Sequence, residues 1–300
     1  MADVSKVIIT CALTGGVHGK ESNPNLPEQP DEIIEQGVAA WRAGAAILHC
    51  HARDPQGHPT TDLSIFSMIY HGLTSQTDAV INLTTGGGLG LPVEERIRTT
   101  ELRPEIATLN MGLLDFILRG KEYFFSNRRS EINWFLETMS DRGIKPELEC
   151  YSSAMVEEAQ RLVDRGLLET PYMYNIVLNT PTVGGLMGTP ENLFHMIKRI
   201  PEGAVVSVSS MGHTQLPLTT IGMAMGLHVR VGLEDNVHYA PKEQATSNAQ
   251  LIERTVRIAE ELQRDPASPD EARQMLGLPS LAERSADVEM ERAGLPSEER

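Results

Sequence analysis

Two histidines stand one residue apart at the end of an apolar run, AAILHCHARD, residues 45–54. In an extended chain, positions i and i+2 project from one face, so His49 and His51 would point together while Cys50 points away. Two imidazoles side by side are a metal-ligand pair. Far along the chain, HVRVGLEDN (228–236) offers Arg230, Glu234 and Asp235. Two histidines and one glutamate, with a fourth position open, are the donor set of catalytic zinc; structural zinc prefers closed, cysteine-rich sites. Alternatively the histidines are hydrogen-bonded members of a polar layer, and imidazole and carboxylate donors also suit other divalent ions. Alternation puts Arg230 and Glu234 on one face. An arginine on an interior strand calls for a carboxylate: a buried pair with Asp235 or Glu149, or a substrate's own.

Two glycine-rich stretches could bind an anion. TTGGGLG (84–90) fits a dinucleotide fingerprint poorly in its spacing and has no phosphate-loop lysine. Gly86 and Gly87 could turn backbone N–H groups toward a carboxylate or phosphate, or could form a bare tight turn. The same two readings apply to Gly184 and Gly185 in VGG (183–185). Among the remaining histidines, His18 and His213 are the foremost site candidates.

These residues sit at the ends of a repeating pattern. Short apolar runs at 7–13, 45–52, 79–85, 105–111, 147–152, 173–179, 204–210 and 228–235 alternate with amphipathic stretches. The stretches carry helix start signals: Pro30 with Asp31 and Glu32, the serines that open SSAMVEEAQRLVDRG, Ser268-Pro269 with Glu271, and similar openings in LPVEERIRTTELR and TPENLFHMIKRI. Eight strand–helix units in this length predict a closed (β/α)8 barrel, an α/β fold, over an open doubly wound sheet. Chemistry in such a barrel gathers at the strand C-termini, where Thr84, Thr85, Thr108, Asn110, Glu149, Asn179 and Ser209 fall beside the residues above. In a closed barrel, strands eight and two both flank strand one, which lets Glu234 approach the histidines. The barrel is expected over residues 1–278. The charged segment 279–300, poor in large apolar residues, is expected to be disordered or docked on a neighbouring subunit.

Composition sets outer bounds. The chain has 300 residues, 40% of them hydrophobic, and a formal net charge of −15, which argues against a nucleic-acid surface. No stretch of eighteen consecutive apolar residues exists, so no membrane span is expected, and MADVSKVIIT lacks the features of an export signal. Cys11, Cys50 and Cys150 lie in apolar runs and fit reduced thiols in the cytoplasm.

With these residues assembled, the chain resembles the β-keto acid cleavage enzymes. The likeness runs from about residue 6 to 278 through TCALTGG, NPNLP, HCHARD, TTGG, RPEIATLNMG, KPELE, GLEDN and SNAQLIERTVRIAEEL, which are specific in this order and spacing. The resemblance implies a zinc-binding (β/α)8 barrel that converts a β-keto acid and acetyl-CoA into acetoacetate and the CoA ester of the shortened acid. It implies zinc on His49, His51 and Glu234, catalytic positions at Thr84, Thr108, Glu149, Arg230 and Asp235, and a homotetramer. Zinc would polarise the keto oxygen, Asp235 oriented by Arg230 could remove the α-proton, and Thr84 with adjacent amides could donate to the tetrahedral adduct. The chain departs from the aminohexanoate-cleaving subtype: Val17 replaces a glutamate, His213 an arginine, and the loop after strand six is two residues longer. An apolar residue in place of that carboxylate argues against a cationic amine substrate. Competing readings are a zinc hydrolase or aldolase on the same barrel and, in another class, a non-catalytic metal-dependent binder of small molecules.

Overall fold

The computed structural model describes residues 5–88, 90–118 and 121–284. Eight strands form one parallel barrel: β1 (Ile9–Ala12), β2 (Ile47–Cys50), β3 (Val80–Leu83), β4 (Ile106–Asn110), β5 (Lys145–Cys150), β6 (Tyr172–Leu178), β7 (Ala204–Ser210) and β8 (His228–Val231). Each strand bonds to the next and β8 closes on β1, the (β/α)8 order the alternating runs predict.

The outer layer comprises α1 (Pro30–Arg42), α2 (Leu63–Thr74), α3 (Val93–Arg96), α4 (Arg129–Asp141), α5 (Ser153–Asp164), α6 (Pro190–Ile197), α7 (Gln215–Ala224) and α8 (Asn248–Glu261). Their starts follow local chemistry. Pro30 and Pro190 open α1 and α6, where a missing N–H removes no helical bond, and Thr189 Oγ1 accepts the Asn192 N–H. The stretch LPVEERIRTTELR forms only one α turn and then a 3-10 segment, Ile97–Leu102. Its threonine hydroxyls compete with the helical pattern: Thr99 Oγ1 donates to the Thr84 carbonyl at 2.8 Å and Thr100 Oγ1 to that of Ile97 at 2.6 Å.

Apolar side chains of the strands pack outward against the helices in two clusters, and the buried, unbridged Cys11, Cys50 and Cys150 belong to them. A ninth helix, α9 (Pro269–Leu276), starts with the expected Ser268–Glu271 capping box. Its Ala272 and Leu276 pack with Ile8, Ile47, Val80 and Ile106 to close the N-terminal end of the barrel. Arg273 anchors it there, donating to both carboxylate oxygens of buried Glu105 at 2.7 and 2.9 Å. With this end sealed, the opposite end is left for chemistry.

Two features depart from the sequence reading. GLLDFILRGKEYFFS forms a hairpin, Leu113–Leu118 with Lys121–Ser126, which Thr182–Val183 extends to three strands. And β8 ends at Val231, short of the run to 235. At Gly232 the backbone has φ +153°, and a β-carbon there would stand 2.0 Å from the Ala12 carbonyl oxygen, so the chain turns sharply. Asp235 N and Asn236 N then both donate to the Gly232 carbonyl. The expected contents of residues 285–300 lie outside the described residues. Among those described, no helix is long and apolar enough to cross a membrane.

Candidate active site

The barrel order places β1 between β8 and β2, so the turn after β8 stands across from the HCH pair. His49 Nε2 and His51 Nε2 lie 3.6 and 3.5 Å from Glu234 Oε1. The two rings meet edge to face at 74°. One donor atom from each of the three residues falls within 4.8 Å of the others, and no other such His/Cys/Asp/Glu grouping occurs among the described residues. Nδ1 of both histidines and Oε2 of Glu234 are buried without a hydrogen-bond partner. Such orphaned atoms are rare in a folded interior, and converging donors of this chemistry fit a divalent cation. Burial pushes His49 down to about 3, leaving a neutral imidazole with a lone pair to give. Burial opposes ionisation of Glu234, yet Arg230 and the two histidines hold its carboxyl well below the usual range.

Arg230 stands beneath this cluster, fully interior, and answers to three carboxylates. Nε and Nη2 donate to Asp235 at 3.1 and 2.8 Å, Nη2 also to Glu234 at 2.5 Å, and Nη1 to Glu149 at 3.3 Å. Both carboxylate pairs that the sequence offered as alternatives therefore form. Four of the five guanidinium N–H groups are engaged in these bonds. Burial pushes Asp235 up to about 6 and Glu149 up to about 8, against the pull of Arg230 on both. Of the two, Glu149 reaches the cavity that opens above, whereas Asp235 is fully buried and does not line it. Glu234 reaches Arg230 through the turn at Gly232 and not through strand alternation.

Above these groups opens a cavity of about 210 Å³. His49, His51, Thr84, Gly86, Asn110, Glu149, Arg230, Glu234 and Val17 are among the residues that line it. Thr84 Oγ1 accepts the Gly86 N–H at 2.9 Å, which leaves its own hydrogen to donate into the cavity. Thr85 and Thr108 do not line the cavity: Thr108 Oγ1 accepts the Thr85 N–H at 3.1 Å, and Thr85 Oγ1 donates to the Thr108 carbonyl at 2.6 Å. The two amides nearest Thr84 are thus already bonded. Ser209 is buried below the site, its hydroxyl donating to Asn175 Oδ1 at 3.0 Å. Gly87 packs on Thr61 and Leu91, Gly184 and His213 are exposed, and none of these, nor Gly185, lines the cavity.

Several lining residues escaped the sequence reading. Tyr151, whose hydroxyl accepts from Asn110 Nδ2 at 3.0 Å, follows β5 directly. Phe116 and Phe125 come from the hairpin, and Val177, Thr180, Pro181 and Met211 from the ends of β6 and β7. The alternating apolar and aromatic residues around Arg119-Gly120 were a hairpin signal. The apolar strand-end residues carried none, because they look like any core position.

Buried polar side chains fix the loops. Asn248, from SNAQ, accepts the Leu233 N–H at 2.8 Å and donates to the Leu13 carbonyl at 3.0 Å, tying the Glu234 turn to the end of β1. Arg53, from HARD, donates to the carbonyls of Gly15, at 2.8 Å, and of His18.

The fold is a (β/α)8 barrel, and the candidate site lies at the C-terminal ends of its strands. The family model for beta-keto acid cleavage enzymes matches residues 6–278. The chain is 38% identical over 276 residues to a 3-keto-5-aminohexanoate cleavage enzyme of Acetoanaerobium sticklandii, covering 92% of this chain and 99% of that one. It is 36% identical to a 3,5-dioxohexanoate:acetyl-CoA acetone transferase of Paraburkholderia graminis, covering 94% and 99%. The apo structure of ObcA shares the fold, with a TM-score of 0.74 at 18% identity over 85% of this chain and 66% of that one. The chain belongs to the β-keto acid cleavage enzyme family, and it is an acyl-transferring enzyme.

Proposed function

We propose that this enzyme is a zinc-dependent β-keto acid cleavage enzyme that takes acetyl-CoA as co-substrate and yields acetoacetate and the CoA ester of the shortened acid. The observation that carries the reading is the convergence of His49, His51 and Glu234 on one side of Arg230, with Asp235 and Glu149 on its others. A zinc ion on those three side chains would supply Lewis-acid polarisation of the keto oxygen. The overall balance requires the C2–C3 bond of the keto acid to break and a bond from C2 to the acetyl carbon to form, with CoA moving from one acyl group to the other.

The chain's own residues fit these demands. Asp235, held through both oxygens by Arg230, is the base for the C2 proton. Glu149, tied to Arg230 by a single 3.3 Å bond, is free to hold a proton and return it to a departing group. The Thr84 hydroxyl donates to the oxygen of the tetrahedral adduct, with Thr108 and Thr85 holding its loop in place. The same reading takes the working form as a cytoplasmic homotetramer, which light scattering of the purified protein would measure.

The test pairs metal analysis with product detection. About one zinc per chain, lost in His49→Ala, together with acetoacetate formed from acetyl-CoA and a β-keto acid, is the expected result. Zinc without acetoacetate from any keto acid offered would favour a hydrolase or a binder; no metal at all would remove the basis of the reading.

A further inference from the structure

From the walls of the cavity we infer that the β-keto acid carries a short, uncharged, apolar tail. The inference rests on the function proposed above and concerns the apolar part of the cavity lining. There the wall is built by Phe116, Val177, Pro181 and Met211, with Val17 at the rim, 38% exposed. Phe116 is backed edge to face by Phe125, over which the Arg96 guanidinium lies at 4.3 Å, so the aromatic wall is braced from behind.

Charge bookkeeping on the lining points the same way. Its charged side chains are Arg230, Glu149 and Glu234, which are already paired with one another. His18 and Tyr151, the other titratable groups of the lining besides the metal-site histidines, are themselves engaged within the protein, Tyr151 through the bond from Asn110. An ammonium or carboxylate on the tail would therefore lose its water without gaining an ionic partner, which is strongly unfavourable. An alkyl tail loses nothing there and gains the contact with the wall. At about 210 Å³ the cavity is also below the roughly 300–1,000 Å³ of sites for drug-sized ligands, so the tail is short.

Four acids of the same carbon count separate the cases: 3-oxohexanoate, neutral and apolar; 3,5-dioxohexanoate, neutral and polar; 3-keto-5-aminohexanoate, cationic; and 3-oxoadipate, with a second carboxylate. Each is offered to the metal-loaded enzyme with saturating acetyl-CoA, and kcat/KM is measured from acetoacetate release. The expected order puts 3-oxohexanoate first, with both charged acids lower by about 100-fold or more. Met211→Glu, at a half-buried wall position, should then shift the preference toward the cationic acid by at least 10-fold. A charged acid turning over best would overturn the inference and leave the cleavage reading intact. No acetoacetate from any of the four would instead sink the cleavage reading itself. If Met211→Glu raises KM for acetyl-CoA and leaves the order of the acids unchanged, the wall serves the CoA arm and the inference fails.

Discussion

Gly15 packs so closely on Glu234 that a β-carbon at position 15 would fall 2.4 Å from Glu234 Cγ. Gly15 also has φ +65°, where an L side chain is strained. The TGG motif and the GLED motif thus meet: the glycine leaves the space that the Glu234 side chain fills. Gly15→Ala is expected to displace Glu234 and weaken metal binding by at least the ~10–100-fold typical of disturbed ligand support. Competition with a chromophoric chelator measures it. A variant that binds metal as tightly as the parent would show that Glu234 is not a ligand.

The ends of the strands were legible because barrel topology is periodic: eight apolar runs fixed where each side chain would emerge, and HCH declared its own face. Glu234 was legible as a ligand candidate, but its route was not, since Gly232 ends β8 early and a turn delivers the carboxylate. Thr108 and Thr85 were legible as strand-end residues, but the bonds between them were not, because a threonine hydroxyl at a strand end can donate in several directions. Phe116, Val177 and Met211 were unreadable for the opposite reason, since an apolar residue facing a cavity has the same sequence signature as one facing the core.

Asn82 and Glu147 adjoin the His49 side of the His49–His51–Glu234 cluster. Asn82 pairs in register with His49 across β2 and β3, and its Nδ2 donates to Glu147 Oε2 at 2.6 Å. Asn82 Oδ1 and His49 Nδ1 are each buried without a full hydrogen-bond partner, and the Asn82 side chain acts on the His49 ring; a hydrogen held on Nδ1 would leave Nε2, the atom that faces Glu234, for an ion. Asn82→Leu is expected to lower zinc affinity by ~10–100-fold. It should also destabilise the metal-free protein by about 1–3 kcal/mol, because Glu147 loses its partner. Chelator competition and urea melts of the metal-free protein check the two effects. Unchanged zinc affinity would leave Asn82 a purely structural residue.

Removing the charge of Asp235 separates catalysis from binding. Asp235→Asn preserves shape and one hydrogen bond to Arg230 but removes the carboxylate proposed above as the base, so kcat should fall by about 10²–10⁴. Metal content and the affinity for a non-reacting keto acid analogue should stay within a few-fold of the parent, as isothermal titration would record. Retention of full turnover would transfer the role of base to Glu149.

His228, at the start of β8, links the barrel's stability to pH. Its Nδ1 accepts the Ile8 N–H at 2.9 Å, which joins β8 to the chain entering β1 and requires a neutral ring there. Burial, aided by nearby Arg264, pushes its pKa down to about 4 from the ordinary 6.5. Between those values the unfolded chain binds the proton that the folded chain refuses, so this contribution to stability falls as pH falls. It is complete above about pH 6.5 and lost as the pH drops through the folded value, on the order of 3 kcal/mol in all. His228→Asn keeps an acceptor near the position of Nδ1 and cannot titrate. Urea denaturation at pH 7.5, 6.0 and 5.0 should show the parent losing stability relative to this variant at each step down. Parallel losses in the two proteins would mean that His228 is not the titrating group.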